Sequence, residues 1–443
     1  MAQIFPFAAY RYDPGRVGLE KVLTQPYDKI TPDMQERYYA ASPYNLIAVE
    51  KGKPFADDSP ASNVYTRAAQ KLEEWIADRI LVRDPAPAIY IYLQDYVPPG
   101  STTRRRRQGF IALGRLEDYS KGIVFRHEKT LAAPKADRLE LLRRTRTQTG
   151  QLFMLYDDAN GRIEELLAYA SADPAPVELR DEYDVVHRLW PTPDADWVRG
   201  IVSAMADRKL IIADGHHRYE TALAYRDECR QALGGTEPSS PAEMAMMTFI
   251  SAQSKGLTIL PTHRVIRNLS PFDMEQFRKE AGRYFDWYAY PFASPEERAS
   301  VYAEFRKDLQ RLGHARHAIG VYPGGGAFYL FLLRRSADLE QLLPELSPAQ
   351  RKLDVALLHR LILENALGIT SDAVARETNI AYERETDAAI AAVDKRQAQL
   401  ACLLNQVRIE QVAEIALAGD VLPQKSTDFY PKLLSGLTIY KMG

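Results

Sequence analysis

Cysteine is almost absent: Cys229 and Cys402 are the two thiols in 443 residues. No CxxC or Cys/His ligand spacing arises from them, so a structural zinc site and a disulfide framework are not expected. There is no apolar run of about 18 residues, so no segment is expected to span a membrane. The opening MAQIFPFAAYRYDPGR has no basic stretch ahead of its short apolar part. Pro6, Arg11 and Asp13 interrupt it early, and no signal peptide is expected. Excess charge of one sign is missing too: the formal net charge is −2, which excludes the broad positive field that grips nucleic acid. Repeats and low-complexity tracts are absent. Together these point to a reducing, cytoplasmic setting with small-molecule partners, no nucleic acid and no membrane.

What is present is enough apolar residue to build real cores, 46% of the chain. The length suggests two or three domains at roughly 150 residues each. Gln25-Pro26-Tyr27-Asp28 reads as a turn and Leu46-Ile47-Ala48-Val49 as a strand. Residues 61 to 79 carry helical periodicity, with Val64, Ala68, Leu72, Trp75 and Ile76 on one face. Ile89 to Leu93 alternates as a strand, with Phe110 to Leu113 as its partner. Arg104 to Arg107, between them, read as the solvated tip of a hairpin, or more sharply as a polyanion contact. A basic helix follows over Ala136 to Thr147, and a buried strand over Leu152 to Tyr156. Ala195 to Asp207 reads as a helix and Lys209 to Ala213 as a strand, followed by a helix from His216 to Leu233. Gly234 to Pro241 is the clearest linker. Beyond it come strands at 245 to 252 and 257 to 260, a helix at 295 to 312, and a hairpin around Gly324-Gly325-Gly326. Pro348 to Leu417 reads as mainly helical. The expected fold is α+β, with an N-terminal domain over 1–235 and a C-terminal α+β and helical domain over 236–443 that completes a cleft.

The strongest chemical signal is Ile211-Ile212-Ala213-Asp214-Gly215-His216-His217-Arg218-Tyr219. An apolar strand ends, a glycine turns the chain, and a helix begins. A helix N-terminus offers free N–H groups and partial positive charge, which suits an anion. Gly215 allows close backbone approach, and Arg218 can fork onto phosphate oxygens beside His216 and His217. Asp214 could cap the helix or hold Mg²⁺. Adjacent histidines point about 100° apart on a helix, so they are no paired metal site. The plain alternative is an ordinary Asp-Gly helix start with satisfied histidines.

The string IADGHHRYETAL resembles the signature of a widespread bacterial and archaeal family long described as of unknown function. Further stretches match along nearly the whole chain: Gln25-Pro26-Tyr27-Asp28, Arg126-His127-Glu128-Lys129-Thr130, Lys135-Ala136-Asp137-Arg138, Leu260-Pro261-Thr262-His263-Arg264, and Pro423 to Lys432. Asp214 to Arg218 is also similar to the phosphate loop of the ParB/sulfiredoxin-like fold. The version in archaeal kinases that phosphorylate free serine carries the same Asp-Gly-His-His-Arg string. The resemblance implies that His216, His217 and Arg218 hold a transferable phosphate and that Asp214 works beside metal or substrate. It implies pyrophosphate or a nucleoside diphosphate as donor. This chain is far longer than those kinases, so its extra substrate contacts do not carry over.

Other residues fit such a site. Glu128 is the first candidate for a general base and Asp28 the second. His127, Lys135 and Arg138 are candidate substrate contacts, although the latter two, taken in isolation, read more often as surface ion pairs. His263 and Arg264 offer a second phosphate clamp. Lys425, Ser426 and Thr427 offer a cation with hydroxyls but lack the glycines of a P-loop. His359 reads as a core-edge histidine. The expected activity is phosphoryl transfer from pyrophosphate, ADP or ATP to a small-molecule hydroxyl, with free L-serine giving O-phosphoserine as the leading case and Mg²⁺ as cofactor. The alternatives are a phosphohydrolase or nucleotidase and, from another class, a nucleotide-sensing ParB-like DNA-binding regulator. Against the regulator stand the net charge and the lack of a helix-turn-helix pattern.

Overall fold

The computed structural model describes residues 2–128 and 132–443, with the backbone alone for 132–134. Lys129 and Thr130 of the His127–Thr130 stretch therefore lie outside the described residues. The chain divides into two units: Met1–Arg126, Thr130–Thr258 and Phe429–Gly443 form the first, His127–Lys129 and Ile259–Asp428 the second. This corrects the expected boundary at 235. The glycine- and serine-rich stretch after Leu233 is a connection inside the first unit, because the strand that follows it pairs within the first unit's sheet. The second unit is an insertion, and the last residues of the chain return to the first.

The first unit is α+β around a nine-stranded sheet. In chain order its strands are β1 (Ile4–Phe5), β2 (Ile89–Tyr96), β3 (Arg105–Arg115), β4 (Val124–Phe125), β5 (Leu152–Tyr156), β6 (Val177–Arg180), β7 (Val186–Thr192), β8 (Leu210–Asp214) and β9 (Met244–Ser251). They lie in the order β4-β8-β5-β9-β3-β2-β7-β6, with β1 beside β3. Parallel pairing occurs at β8 with β4 and at β9 with β5; the other pairs are antiparallel. Every residue of β2 and of β5 is buried, as both faces of the central strands are covered. Ile91, Phe110, Met154, Ile212 and Phe249 share one core, in which the Phe110 and Phe249 rings stack at 5.0 Å.

The three longest helices described in this unit are α1 (Val64–Ala77), α2 (Ala132–Thr145) and α3 (His216–Leu233). The first is the helix that periodicity predicts, started by a reciprocal cap between Asn63 and Thr66. Two other expectations are corrected. Leu46 to Val49 is not a strand: Ile47–Glu50 forms a short helix whose first amide donates to the Asn45 side chain at 2.9 Å. The arginine run is a solvated tip only in part, since Arg104 and Arg106 are exposed. Arg105 to Arg107 belong to β3, and Arg107 is almost wholly buried.

The second unit holds a six-stranded antiparallel sheet. Its strands are β10 (His263–Ile266), β11 (Phe285–Pro291), β12 (Ala318–Tyr322), β13 (Ala327–Leu333), β14 (Ile380–Glu383) and β15 (Leu400–Leu404), in the order β11-β13-β12-β15-β10-β14. The stretch expected as mainly helical thus contributes two strands, β14 and β15. Strand alternation splits the side chains between two cores. Ala401, Leu403, Leu330 and Tyr322 pack with Phe305 and Leu309 of α4 (Pro295–Gly313). Cys402, Leu404, Phe331 and Ile319 face the opposite way, onto Leu361 and Ile362 of α5 (Leu358–Ala366), a π-type turn, and Ile415 of α6 (Ile409–Leu417).

Candidate functional site

Strand β8 ends at Asp214, Gly215 turns with φ 93° and ψ 25°, and α3 starts at His216. That backbone lies in the left-handed region that glycine enters without strain. A side chain at Gly215 would also collide, since an added Cβ would stand 3.1 Å from Cδ2 of Leu152 and 3.2 Å from Nη2 of Arg218. The Arg218 guanidinium therefore folds back over the glycine. Its Nη1 donates to the Gln151 carbonyl, and its Nη2 lies 3.5 Å from Oδ2 of Asp214. The cap residue of this 18-residue helix is Gly215, not Asp214, and a glycine has no side chain with which to cap it. His216 is buried and His217 half-buried. The helix itself is pinned by Tyr219, whose hydroxyl donates to the Glu117 carbonyl at 2.7 Å, and by Arg226, which pairs with Asp118 at 2.9 Å.

Two further cations attend Asp214. Nζ of Lys432 lies 3.7 Å from its Oδ1. Arg107 is held below by its own fork: Nε donates to Gln94 Oε1 at 3.0 Å, Nη1 to the Tyr430 carbonyl at 3.1 Å, and Nη2 to the Pro431 carbonyl. The guanidinium stacks over the Phe153 ring at 4.9 Å. Burial pushes its pKa down to about 10, against the opposing pull of tyrosines and of Asp214. Gln94 also donates to the Lys432 carbonyl at 2.9 Å, so one amide positions both cations. Sequence reasoning singles out Lys432 nowhere and reaches Arg107 only within the run read as a solvated tip or a polyanion contact. The one signal for Lys432 is that it closes the family-like string from Pro423. Arg107 is hidden in a charge run that resembles a loop tip.

Beside the turn lies Gly150, where an added Cβ would meet Nη1 of Arg218 at 3.2 Å and Oε1 of Glu50 at 3.6 Å. Glu50 is buried and accepts from the Thr149 hydroxyl. Arg138 donates to the Glu50 carbonyl at 2.7 Å, pairs with Asp137 at 2.6 Å and covers the Tyr27 ring at 4.5 Å. Burial pushes the Tyr27 phenol up to about 12; Asp28 adds to this, while Arg218 and Arg138 oppose it. Asp28 and Arg138 thus share the surroundings of Tyr27 with Arg218. Lys135 is engaged on α3 instead, 2.8 Å from Glu220.

The remaining predicted residues belong to the second unit. His127 is buried and its Nε2 meets the Thr427 hydroxyl at 2.8 Å. Glu128 accepts from the Lys425 amide at 3.3 Å, and Ser426 donates to the Pro423 carbonyl at 2.5 Å. His263 and Arg264 are neighbours on β10 and point to opposite faces. Nδ1 of His263 accepts from the Leu404 amide at 3.2 Å, which leaves Nε2 to donate to Thr386 Oγ1 at 2.9 Å. Burial, with Arg264 and Arg306 nearby, pushes its pKa down to about 4, so the ring is neutral. Arg264 is fully buried, donating to the Thr262 carbonyl at 2.5 Å and the Gln424 carbonyl at 3.3 Å, above the Tyr382 ring at 5.0 Å.

Among the described residues no three His, Cys, Asp or Glu side chains cluster as a metal cage. Asp214 alone suits the way Mg²⁺ is usually held, by one or two carboxylates together with substrate phosphates. No described helix is long and apolar enough to cross a membrane.

A profile of the family described as "Protein of unknown function (DUF1015)" matches residues 4–356. No curated protein matches the sequence. Among solved structures, a conserved hypothetical protein from Pyrococcus furiosus is similar at 12% identity and TM-score 0.33, covering 71% of this chain and 92% of that one. A free serine kinase in complex with AMP is similar at 12% identity and TM-score 0.34, covering 71% and 89%. SbnI with a C-terminal truncation, from Staphylococcus aureus, is similar at 10% identity and TM-score 0.33, covering 74% and 87%.

Proposed function

We propose that this chain, which belongs to the DUF1015 family, is a phosphotransferase acting at the Asp214–Arg218 turn. It moves a phosphoryl group from pyrophosphate or a nucleotide, ADP or ATP, to the hydroxyl of a small molecule, with free L-serine giving O-phosphoserine as the leading acceptor. One observation carries the reading: α3 starts at a left-handed glycine that the Arg218 guanidinium covers, with Asp214 between Arg218 and Lys432. The helix end and the two cations offer a multiply charged phosphate what it needs, fixed donors in a partly dry setting.

In this reading Arg218 and Lys432 bind and orient the donor's oxygens, and Arg107 holds positive potential beneath them. Asp214 holds Mg²⁺ that arrives with the donor, where the ion supplies charge neutralisation across donor oxygens. His216 and His217 take part as phosphate contacts on the similarity of the Asp-Gly-His-His-Arg string, which also supports a ParB/sulfiredoxin-like reading of the first unit. The acceptor's proton goes to a carboxylate, Glu128 in the first instance and Asp28 in the second.

The deciding experiment is a transfer screen of serine and related hydroxyl compounds against pyrophosphate, ADP and ATP with Mg²⁺, followed by phosphorus NMR. O-phosphoserine appearing with loss of donor is the expected result. Free phosphate alone, at the same rate with and without acceptor, overturns the transferase in favour of a hydrolase.

A further inference from the structure

The second unit contains a cavity of about 770 Å³, within the range of small-molecule sites, roughly 300–1,000 Å³. Its lining is unevenly charged. Five cationic side chains, Arg306, Lys307, Arg316, Lys352 and Arg408, face one carboxylate, Asp354. That carboxylate is already engaged, 2.7 Å from Nδ1 of His317. Two of the cations are also committed: Arg316 lies 3.2 Å from Asp286 and Lys352 lies 2.5 Å from Glu414. Arg306, Lys307 and Arg408 form no ion pair among the described residues.

Arg306, Lys307 and Arg408 are exposed, so water and salt screen their repulsion, and Asp354 answers part of the Arg408 charge; an anion joining the three relieves what remains. A singly charged carboxylate offsets one of the three, whereas a phosphate ester or anhydride offsets two or more. The cavity is not polar throughout: Leu353, Val355, Leu404 and Val407 give it an apolar wall, which suits an organic group rather than a bare ion. Near them the His263–Thr386 hydrogen bond fixes a neutral imidazole in the lining. Arg306 and Lys307 are adjacent on α4, and Arg408 is the extended residue that immediately precedes α6, so two of the charged positions ride on a regular helix and the third stands at the start of another.

We propose that this cavity binds a phosphorylated organic small molecule, the phosphates set among Arg306, Lys307 and Arg408 and the organic part against the apolar wall. The inference stands apart from the reaction proposed at the Asp214–Arg218 turn and needs no chemistry there.

The test uses the full-length chain, with ADP as the probe and adenosine as the probe without charge. Calorimetric titration compares the natural protein with the double variant Arg306→Gln/Arg408→Gln, with Arg306→Lys/Arg408→Lys, and with Arg218→Lys. The expected result is that the glutamine pair weakens one class of ADP sites at least about tenfold. The lysine pair should keep most of that affinity, and Arg218→Lys should leave it in place. Adenosine should bind both double variants alike. If the glutamine pair yields the same ADP isotherm as the natural chain, with circular dichroism unchanged, the proposal is wrong. If ADP binding is lost in Arg218→Lys alone, the cavity is a solvated basic hollow and the turn is the nucleotide site. Loss of transfer activity without any loss of ADP binding in the glutamine pair would equally overturn it.

Discussion

Lys432 holds its ammonium 3.7 Å from Oδ1 of Asp214, on the oxygen opposite the one that Arg218 faces at 3.5 Å. Both separations are longer than a tight charge-assisted hydrogen bond, which runs at about 2.7–2.9 Å. The carboxylate is flanked by cations without being closed off by either, and Lys432 is nearly buried, with 10% of its side chain exposed. An ammonium in that position can also meet an oxygen of an anionic donor. Lys432→Met keeps the length of the stem and removes the charge, so pyrophosphate affinity should fall about tenfold, near 1.4 kcal/mol, as read by calorimetry. Unaltered affinity in the folded variant would assign Lys432 a purely structural part.

Arg218 offers a second expectation, because its fork serves two acceptors at once, the Gln151 carbonyl and the Asp214 carboxylate. A lysine keeps the charge but has one point nitrogen in place of a planar pair. Arg218→Lys should therefore lower phosphoryl transfer at least about tenfold, or roughly 1.4 kcal/mol in the barrier, with little change in melting temperature. Steady-state kinetics beside a thermal melt separate the two effects, and natural rates would remove Arg218 from the reaction.

For the carboxylates, Asp214→Asn should abolish turnover while Glu128→Gln slows chemistry more than it weakens donor binding. Single-turnover transfer together with donor titration reads both. If Glu128→Gln behaves like the natural chain and Asp28→Asn does not, the proton acceptor is Asp28. Full activity in all three variants would place the reaction elsewhere in the molecule.

The buried histidines of the second unit make its stability depend on acid. Burial, helped by neighbouring arginines, pushes His263 down to about 4 and His359 down to about 3. An unfolded histidine titrates near about 6.5, so below that pH the unfolded chain binds protons that the native chain refuses. The stabilising contribution is complete above the unfolded value and falls away as pH drops toward the folded values. The expected loss between pH ~6.5 and pH ~4 is on the order of a few kcal/mol. Nε2 of His359 has no hydrogen-bond partner among the described residues, so His359→Leu should be tolerated at neutral pH and should flatten the pH dependence. Urea unfolding across that range would show it; a natural chain equally stable at both ends would refute the assignment of neutral rings.

The sequence is most readable where local rules bracket an element. Helix α3 can be placed from His216 to Leu233 because a glycine stands at each end, and both adopt left-handed backbone, with φ 93° at Gly215 and φ 70° at Gly234. Leu46 to Val49 misleads because a four-residue apolar run has no period, and the Asn45 side chain that starts its helix lies outside the run. Arg107 misleads because composition says nothing of a partner far along the chain; its burial is made possible by the carbonyls of Tyr430 and Pro431. The same long-range pairing hides the true division of the chain. Strand β9 and the final residues join the first unit through contacts with no local signature. Of the candidate site, the turn is legible in the sequence and its flanking cations are not.

The return of residues 429–443 to the first unit also orders events in time. Tyr440 and Lys441 pair with Gln148 and Thr147, and the Gly436 amide donates to the Thr149 carbonyl at 2.9 Å. During synthesis, Asp214, Gly215 and Arg218 emerge from the ribosome well before Lys432. A nascent chain that has reached the end of the second unit owns the whole Asp214–Arg218 turn yet has neither the ammonium beside Asp214 nor the carbonyls that accept from Arg107. Until translation passes that point, Arg107 lacks its acceptors on Tyr430 and Pro431, and burying it would be costly. The growing polypeptide therefore cannot complete the site until residues 430–432 have been made, long after the turn itself.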